Sequence, residues 1–291
     1  MKPLSLPPFW PGRDGSRRIA ARPHLWHVQV QGEGPPVLLL HGAGGAGHSW
    51  RALAPALAPH YTLIAPDLPG QGFTTAGSRS RMALPTMAED IAALLAQENW
   101  RPAAIIGHSA GAALALRLAE ILEGPPAIVG INAALSPFQG VAAVMFPMMA
   151  RLLAMNPFVA PAFARLWRNA DQVDRLIRAT GSALDPEGLA CYLHLVRDAG
   201  HVDGTLAMMA QWRLDGLLAR LPRIAAPVLL VTAEDDRAVP PDVSAEAAAR
   251  LPVARRVALA SGGHLVHETD PAPVAAAILP FLAAEARRSH A

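Results

Sequence analysis

Acyl transfer needs a nucleophile, a base and an acid that orients the base, and this sequence offers a serine, a histidine and an aspartate at turn-like positions. Ser109 lies inside Gly107-His108-Ser109-Ala110-Gly111, between an apolar run (Ala103 to Gly107) and an Ala/Leu-rich run (Ala110 to Ala119). A serine on a sharp strand-to-helix turn exposes its hydroxyl from a strained backbone, and the residues two positions away on either side must be small. Gly107 and Gly111 meet that need. Small residues also make ordinary turns, so the pattern marks a nucleophile only if the rest of the chain supplies partners. A serine hydroxyl attacks poorly until a base takes its proton, and the base must be held by a carboxylate.

In a strand–turn–helix serine architecture the partners follow in the order acid, then histidine. The run "VLLVTAEDDRAVP" places Asp236 just past an apolar segment, and "VALASGGHLVHE" places His264 behind Gly262-Gly263. Asp235 is one residue off, and the spacing from Ala233 to Pro240 favours Asp236. His267 follows His264 by one helical turn, and the Gly-Gly turn favours the earlier histidine. Asn132 cannot serve as an acid, which closes the alternative position after the preceding strand. Asp67 in "DLPGQG" is expected to stabilise its own turn. A developing oxyanion needs two amide donors. Ala110, next to the nucleophile, supplies one, and Ala43 in the loop "HGAGGAGHSW" is the choice for the other. That loop carries neither G-K-[S/T] nor G-x-G-x-x-G, so a phosphate cradle is not indicated. His41 and His108 are expected as structural hydrogen-bonding groups. "HLVHE" lacks the H-E-x-x-H spacing of a metal helix, and His194, His201, Asp198 and Asp203 are expected on a solvated surface. No cofactor and no metal is expected.

These residues need a scaffold, and short apolar runs alternating with helix-period segments predict an α/β protein with a mostly parallel sheet. "LWHVQVQG" alternates like a half-exposed strand, "PVLLLHG" and "YTLIAPD" read as buried strands, and "AAIIG" and "AIVGINA" flank the nucleophile helix. "TMAEDIAALLAQE" predicts a helix opened by Thr86 with Glu89 in a capping box. From Leu135 to about Arg223 the chain is rich in Met and Pro, helical in period and without a clear strand; it holds Met145, Met148, Met149, Met155, Met208 and Met209. Strands resume at "APVLLVTAEDD" and "ARRVALASGGH", and an amphipathic helix follows Pro271. The expected division is a core over 1–134, a helical insertion over 135–223 and the rest of the core over 224–291.

Composition narrows the function. The 291 residues are 52% hydrophobic and 16% charged, enough apolar sequence for a large core. Lys2 is the one lysine among 25 basic residues, and no more than two arginines adjoin (Arg17-Arg18, Arg255-Arg256, Arg287-Arg288), so nucleic acid is not an expected partner. The lone Cys191 forbids an internal disulfide and suits a reducing compartment. "VAAVMFPMMA" (141–150) is the longest apolar run, far short of the roughly 20 residues that span a bilayer. The N-terminus lacks the apolar stretch of a secretory signal. A cytoplasmic protein is expected, with peripheral membrane contact open to it.

The elements "LLLHGAGG…HSW", "APDLPGQG", "GHSAG", "VTAEDDRAVP" and "GGHLVHETDP" together resemble the α/β-hydrolase superfamily. That resemblance implies the α/β-hydrolase fold, a mostly parallel sheet flanked by helices with a helical cap inserted. Gln71 departs from it, since many relatives carry His in that turn. The blocks "FWPGRDGSRRI", "HSWRALAPALAPHYTLIAPDLPGQGFTT", "GHSAGAALALRLAE" and "INAALSPFQG…MARLLAMNP" are further similar to the α/β-hydrolase-type accessory proteins of magnesium chelatase. This implies a role in bacteriochlorophyll synthesis, around magnesium insertion into protoporphyrin, with chelatase subunits as partners. The residues themselves imply a serine hydrolase acting on an apolar small molecule or a tetrapyrrole ester. A carboxylic-ester hydrolase for a bulky apolar ester and a non-catalytic tetrapyrrole-binding scaffold remain the alternatives.

Overall fold

The computed structural model describes residues 6–136, 156, 158–166 and 169–289. The apolar run 141–150 and Met145, Met148, Met149 and Met155 lie outside the described residues.

One eight-stranded sheet organises the chain: β1 (Ser16–Ala21), β2 (His24–Gln31), β3 (Pro36–Leu40), β4 (Thr62–Pro66), β5 (Ala104–His108), β6 (Ala127–Ile131), β7 (Val228–Ala233) and β8 (Ala254–Leu259). The spatial order is β1-β2-β4-β3-β5-β6-β7-β8. β2 runs antiparallel to both β1 and β4, and every other pair is parallel. Parallel strands need crossover connections that lay helices on the sheet, so the central strands are buried on both faces and read as unbroken apolar runs. Leu38, Leu40, Ile105, Ile128 and Leu230 pack toward the helices Leu84–Gln97 and Ala110–Ile121. The alternate positions Val37, Leu39, Ile106, Val129 and Val231 pack toward Leu53, Leu57 and the closing helix Pro271–Ser289.

Two expectations are corrected and one strand is added. β2 is not half exposed, because Trp26, His27, Val28 and Gln29 are all buried. The N-terminal segment lies against its polar face, where Gln29 Nε2 donates to the Pro11 carbonyl at 2.6 Å. The helix over 84–97 has no capping box. It starts at Leu84 with Pro85 in its first turn and no side-chain cap. Thr86 Oγ1 donates to the Ala83 carbonyl, and Glu89 pairs with Arg81 instead. β1 is a strand not expected from the sequence, and its register against β2 runs from Ser16–Gln29 to Ala21–His24.

Between β6 and β7 the described residues form the helices Val159–Leu166, Ala170–Ala179, Pro186–Val196, Ala199–Gln211 and Asp215–Arg220, with no strand among them. Three of these starts are fixed by side chains that accept orphan backbone amides: Asn169 from Asp171, Asp185 from Gly188 and Asp198 from His201. Arg51 ties this insertion to the core, bonding Asp185 at 2.7 Å and the buried Glu268. Burial raises the Glu268 carboxyl to about 7, despite Arg51 and the Tyr192 hydroxyl that donates to it at 2.8 Å. No helix of the described residues is long and apolar enough to cross a membrane.

Candidate active site

β5 ends at His108 and the helix Ala110–Ile121 begins one residue after Ser109, which has φ 52° and ψ −116°. A side chain is strained in that region, and only a fully determined surrounding holds it there. The determinants are the flanking glycines. A Cβ at Gly107 would lie 2.3 Å from the Gly111 carbonyl oxygen, and a Cβ at Gly111 would lie 2.0 Å from the Leu40 oxygen. The strand and helix are pressed together at both positions, so no flexible side chain can yield. Gly111→Ala is accordingly expected to lower stability by at least about 3 kcal/mol. A urea midpoint equal to that of the wild type would contradict this account of the turn.

The imidazole and carboxylate are joined: His264 Nδ1 and Asp236 Oδ2 are 2.8 Å apart, with Asp236 buried and the His264 side chain 12% exposed. The second Asp236 oxygen accepts from the Ala238 and Val239 amides at 2.7 and 2.9 Å, which locks the carboxylate toward the ring. Asp235 does a different job, accepting from the Gly263 and Gly262 amides and so shaping the turn before His264. Ser109 Oγ forms no hydrogen bond with His264 in this structure. The two are neighbours through His108, whose ring lies 4.7 Å from that of His264 and whose Nε2 donates to the His264 carbonyl at 2.9 Å. Nucleophile–base hydrogen bonds in ligand-free enzymes are commonly open and close with substrate.

The loop after β3 approaches Ser109 directly, since a Cβ at Gly42 would lie 3.1 Å from the Ser109 Cβ. Its amides are divided. Gly44 donates to Gln71 Oε1 at 2.8 Å and Gly45 to the Gly42 carbonyl at 3.1 Å. Ala43 and Ala110 donate to nothing among the described residues. Gln71 is wholly buried and also donates to Met208 Sδ at 3.0 Å, so it links this loop to the insertion. Asp67 fixes the adjoining turn through Gly47, Phe73 and His27 at 2.7, 2.8 and 2.7 Å. Burial pushes its carboxyl up, but His27 and the Phe73 amide outweigh that and bring it down to about 2.

Several surrounding histidines are structural, and burial disfavours their charged form. His41 receives the Leu68 amide at Nε2, and burial lowers its pKa. His108 is held well below its ordinary value by burial, with His267 and His264 adding to the effect. His267 packs on Trp50 and His108 and is lowered to about 3, again chiefly by burial. His201 corrects an expectation. Far from a solvated surface, it is 4% exposed, receives the Gly72 amide at 2.9 Å and is lowered by burial to about 4. Asp198 caps its helix, Asp203 pairs with Arg79, and His194 stacks on Phe73. Among the described residues no cluster of three His, Cys, Asp or Glu side chains is arranged for a metal. Burial raises the Cys191 thiol to about 12, which leaves it an inert apolar contact.

Asn132 is one residue whose part here sequence reasoning missed. Its φ is 44°, its Nδ2 donates to the Gly263 and His264 carbonyls at 2.9 Å each, and its Oδ1 accepts from Ala233. It thus pins the histidine loop to the ends of β6 and β7. A polar residue ending an apolar strand was the available signal.

Comparison with known proteins agrees with the architecture. The family model for the alpha/beta hydrolase fold matches residues 35–271. The chain is 48% identical to a magnesium-chelatase 30 kDa subunit of Rhodobacter capsulatus, over 97% of this chain and 99% of that one. It is 31% identical to a pimeloyl-[acyl-carrier protein] methyl ester esterase of Xanthomonas oryzae pv. oryzae, over 82% and 91%. Among solved structures, an alpha/beta hydrolase fold protein from Burkholderia ambifaria superposes with a TM-score of 0.73 at 27% identity, covering 91% of this chain and 97% of that one. A sheet in this order, with a serine turn after β5 and with match and likeness both spanning most of its length, places the chain in the alpha/beta hydrolase fold family.

Proposed function

We propose that the protein is a serine hydrolase that serves as an accessory protein of magnesium chelatase in bacteriochlorophyll synthesis. The observation that carries the chemistry is the 2.8 Å pairing of His264 with Asp236, on a loop that packs against the residue preceding Ser109. The pathway assignment is supported by the 48% identity to a magnesium-chelatase 30 kDa subunit.

In this mechanism Ser109 Oγ attacks an acyl carbonyl while His264 Nε2 takes its proton. Asp236 holds the tautomer with hydrogen on Nδ1 and stabilises the imidazolium. The Ala43 and Ala110 amides receive the oxyanion, at the positive end of the helix Ala110–Ile121. His264 returns the proton to the leaving alkoxide, and water attacks the acyl-enzyme by the same route. The insertion over 135–223 serves as a cap over the site, suited to a bulky ester such as a tetrapyrrole ester. The likeness to a methyl ester esterase favours a second reading, a carboxylic-ester hydrolase outside the chelatase pathway.

Incubation with a fluorophosphonate probe tests the chemistry: the adduct is expected on the peptide carrying Ser109. Absence of an adduct, together with tight porphyrin binding, would leave a non-catalytic binding protein in its place.

A further inference from the structure

The loops that carry Asp236 and His264 are gripped from two sides. One side is the sheet, through Asn132. The other is a three-residue segment, Thr180-Gly181-Ser182, that belongs to the insertion and follows the helix Ala170–Ala179. The Thr180 carbonyl accepts from two amides at once, Arg237 and His264, both at 3.2 Å. It therefore bonds the residue after the candidate acid and the candidate base itself. Ser182 is 2% exposed. Its Oγ accepts from the Leu265 amide at 2.8 Å and faces the Gly262 carbonyl at 3.3 Å, so one hydroxyl spans both ends of the turn that presents His264.

The approach is too close for any residue but glycine. Gly181 has φ 89°, and a Cβ there would lie 2.5 Å from the Asp235 carbonyl oxygen. Gly263 has φ 65°, and a Cβ there would lie 2.3 Å from the Gly181 carbonyl carbon. Beyond the turn, Leu265 is buried among Val173, Ile177 and Leu184 of the insertion. Backbone contact on this scale leaves the histidine loop no independent freedom.

We propose that Ser182, with the Thr180 carbonyl beside it, is the positioning element that fixes His264 against Asp236, so that the insertion and not the sheet alone sets the acid–base geometry. The proposal rests on the reading of His264 as the base. Ser182 touches no reacting atom; it acts through the backbone of residues 262–265. Removing its oxygen strands the buried Leu265 amide and frees the turn to shift.

The test uses the full-length protein and two readouts. Ser182→Ala, and Ser182→Cys as a variant that preserves the packing, are expected to slow the maximal rate of fluorophosphonate labelling by roughly 10²-fold. The half-saturating probe concentration is expected to change less than about twofold, because binding is untouched. Ser182→Thr keeps the hydroxyl and restores most of the rate. Independently of activity, the His264 Nδ1 proton bonded to Asp236 gives a low-field proton resonance, assigned by its loss in Asp236→Asn. It is expected to broaden or vanish in Ser182→Ala and to persist in Ser182→Thr. Wild-type labelling rates and an unshifted resonance in both the Ala and Cys variants would overturn the proposal. If the wild-type protein takes no label, the hydrolase reading fails, and the resonance alone decides whether Ser182 positions the ring.

Discussion

Ser109→Ala is expected to slow acyl transfer by roughly 10⁵- to 10⁶-fold while leaving the fold intact. Alanine keeps the Cβ and adopts the same φ of 52° with no new contact, so the strain of the turn is carried over unchanged. Ser109 Oγ holds no hydrogen-bond partner among the described residues, so its loss strands no buried group there. The urea midpoint should therefore stay close to the wild type while labelling disappears. What survives is turnover through the Ala43 and Ala110 amides and the binding surface alone, which in serine hydrolases remains well above water. In a strain lacking the wild-type gene, the same variant separates two roles. Failure to restore pigment assigns the chemistry to the pathway, and full restoration shows that binding suffices there.

Asp236→Asn is expected to cost roughly 10⁴-fold in turnover, again with little loss of structure. The asparagine carbonyl can keep the two amide hydrogen bonds from Ala238 and Val239, so the loop stays formed. The atom facing His264 Nδ1 becomes an NH₂ group, which donates where the carboxylate accepted. The ring then favours the tautomer with its hydrogen on Nε2, and no lone pair points toward Ser109. Stopped labelling kinetics across the neutral pH range measures this. A rate within tenfold of wild type would show that Asp236 is not the orienting acid, and Asp235→Asn, which disturbs only the turn amides, serves as the control.

Much of this arrangement was legible because it rests on local rules. The glycines around Ser109, the carboxylate after β7 and the Gly-Gly turn before His264 are each set within a few residues of sequence, and apolar runs bounded by Gly and Pro mark the central strands. What escaped was made by contacts between distant segments. β2 alternates in sequence, yet its polar face is covered by residues near Pro11, so burial followed the tertiary neighbour and not the pattern. Thr86 and Glu89 satisfy a capping rule, but Pro85 started the helix earlier and Arg81 claimed the glutamate. His201 carries a polar label that predicts exposure, while the Gly72 amide supplies its partner inside. The contacts made by Asn132, Gln71 and Ser182 escaped because their partners lie between 27 and 137 positions away.

Two buried imidazoles, His201 against the Gly72 amide and His267 against Trp50 and His108, set a limit of their own. In an unfolded chain His201 and His267 take up protons below about pH 6.5, whereas in the folded protein they resist them to about 4 and about 3. Their stabilising contribution is complete above pH 6.5 and is lost as the pH falls toward those values, at about 1.4 kcal/mol per pH unit for each ring. Acidification draws protons into the unfolded chain that the native interior cannot accept. Glu268, raised to about 7, takes up its proton in the folded protein over part of the same range and offsets one of the two rings, so mild acid is expected to weaken the fold through the other.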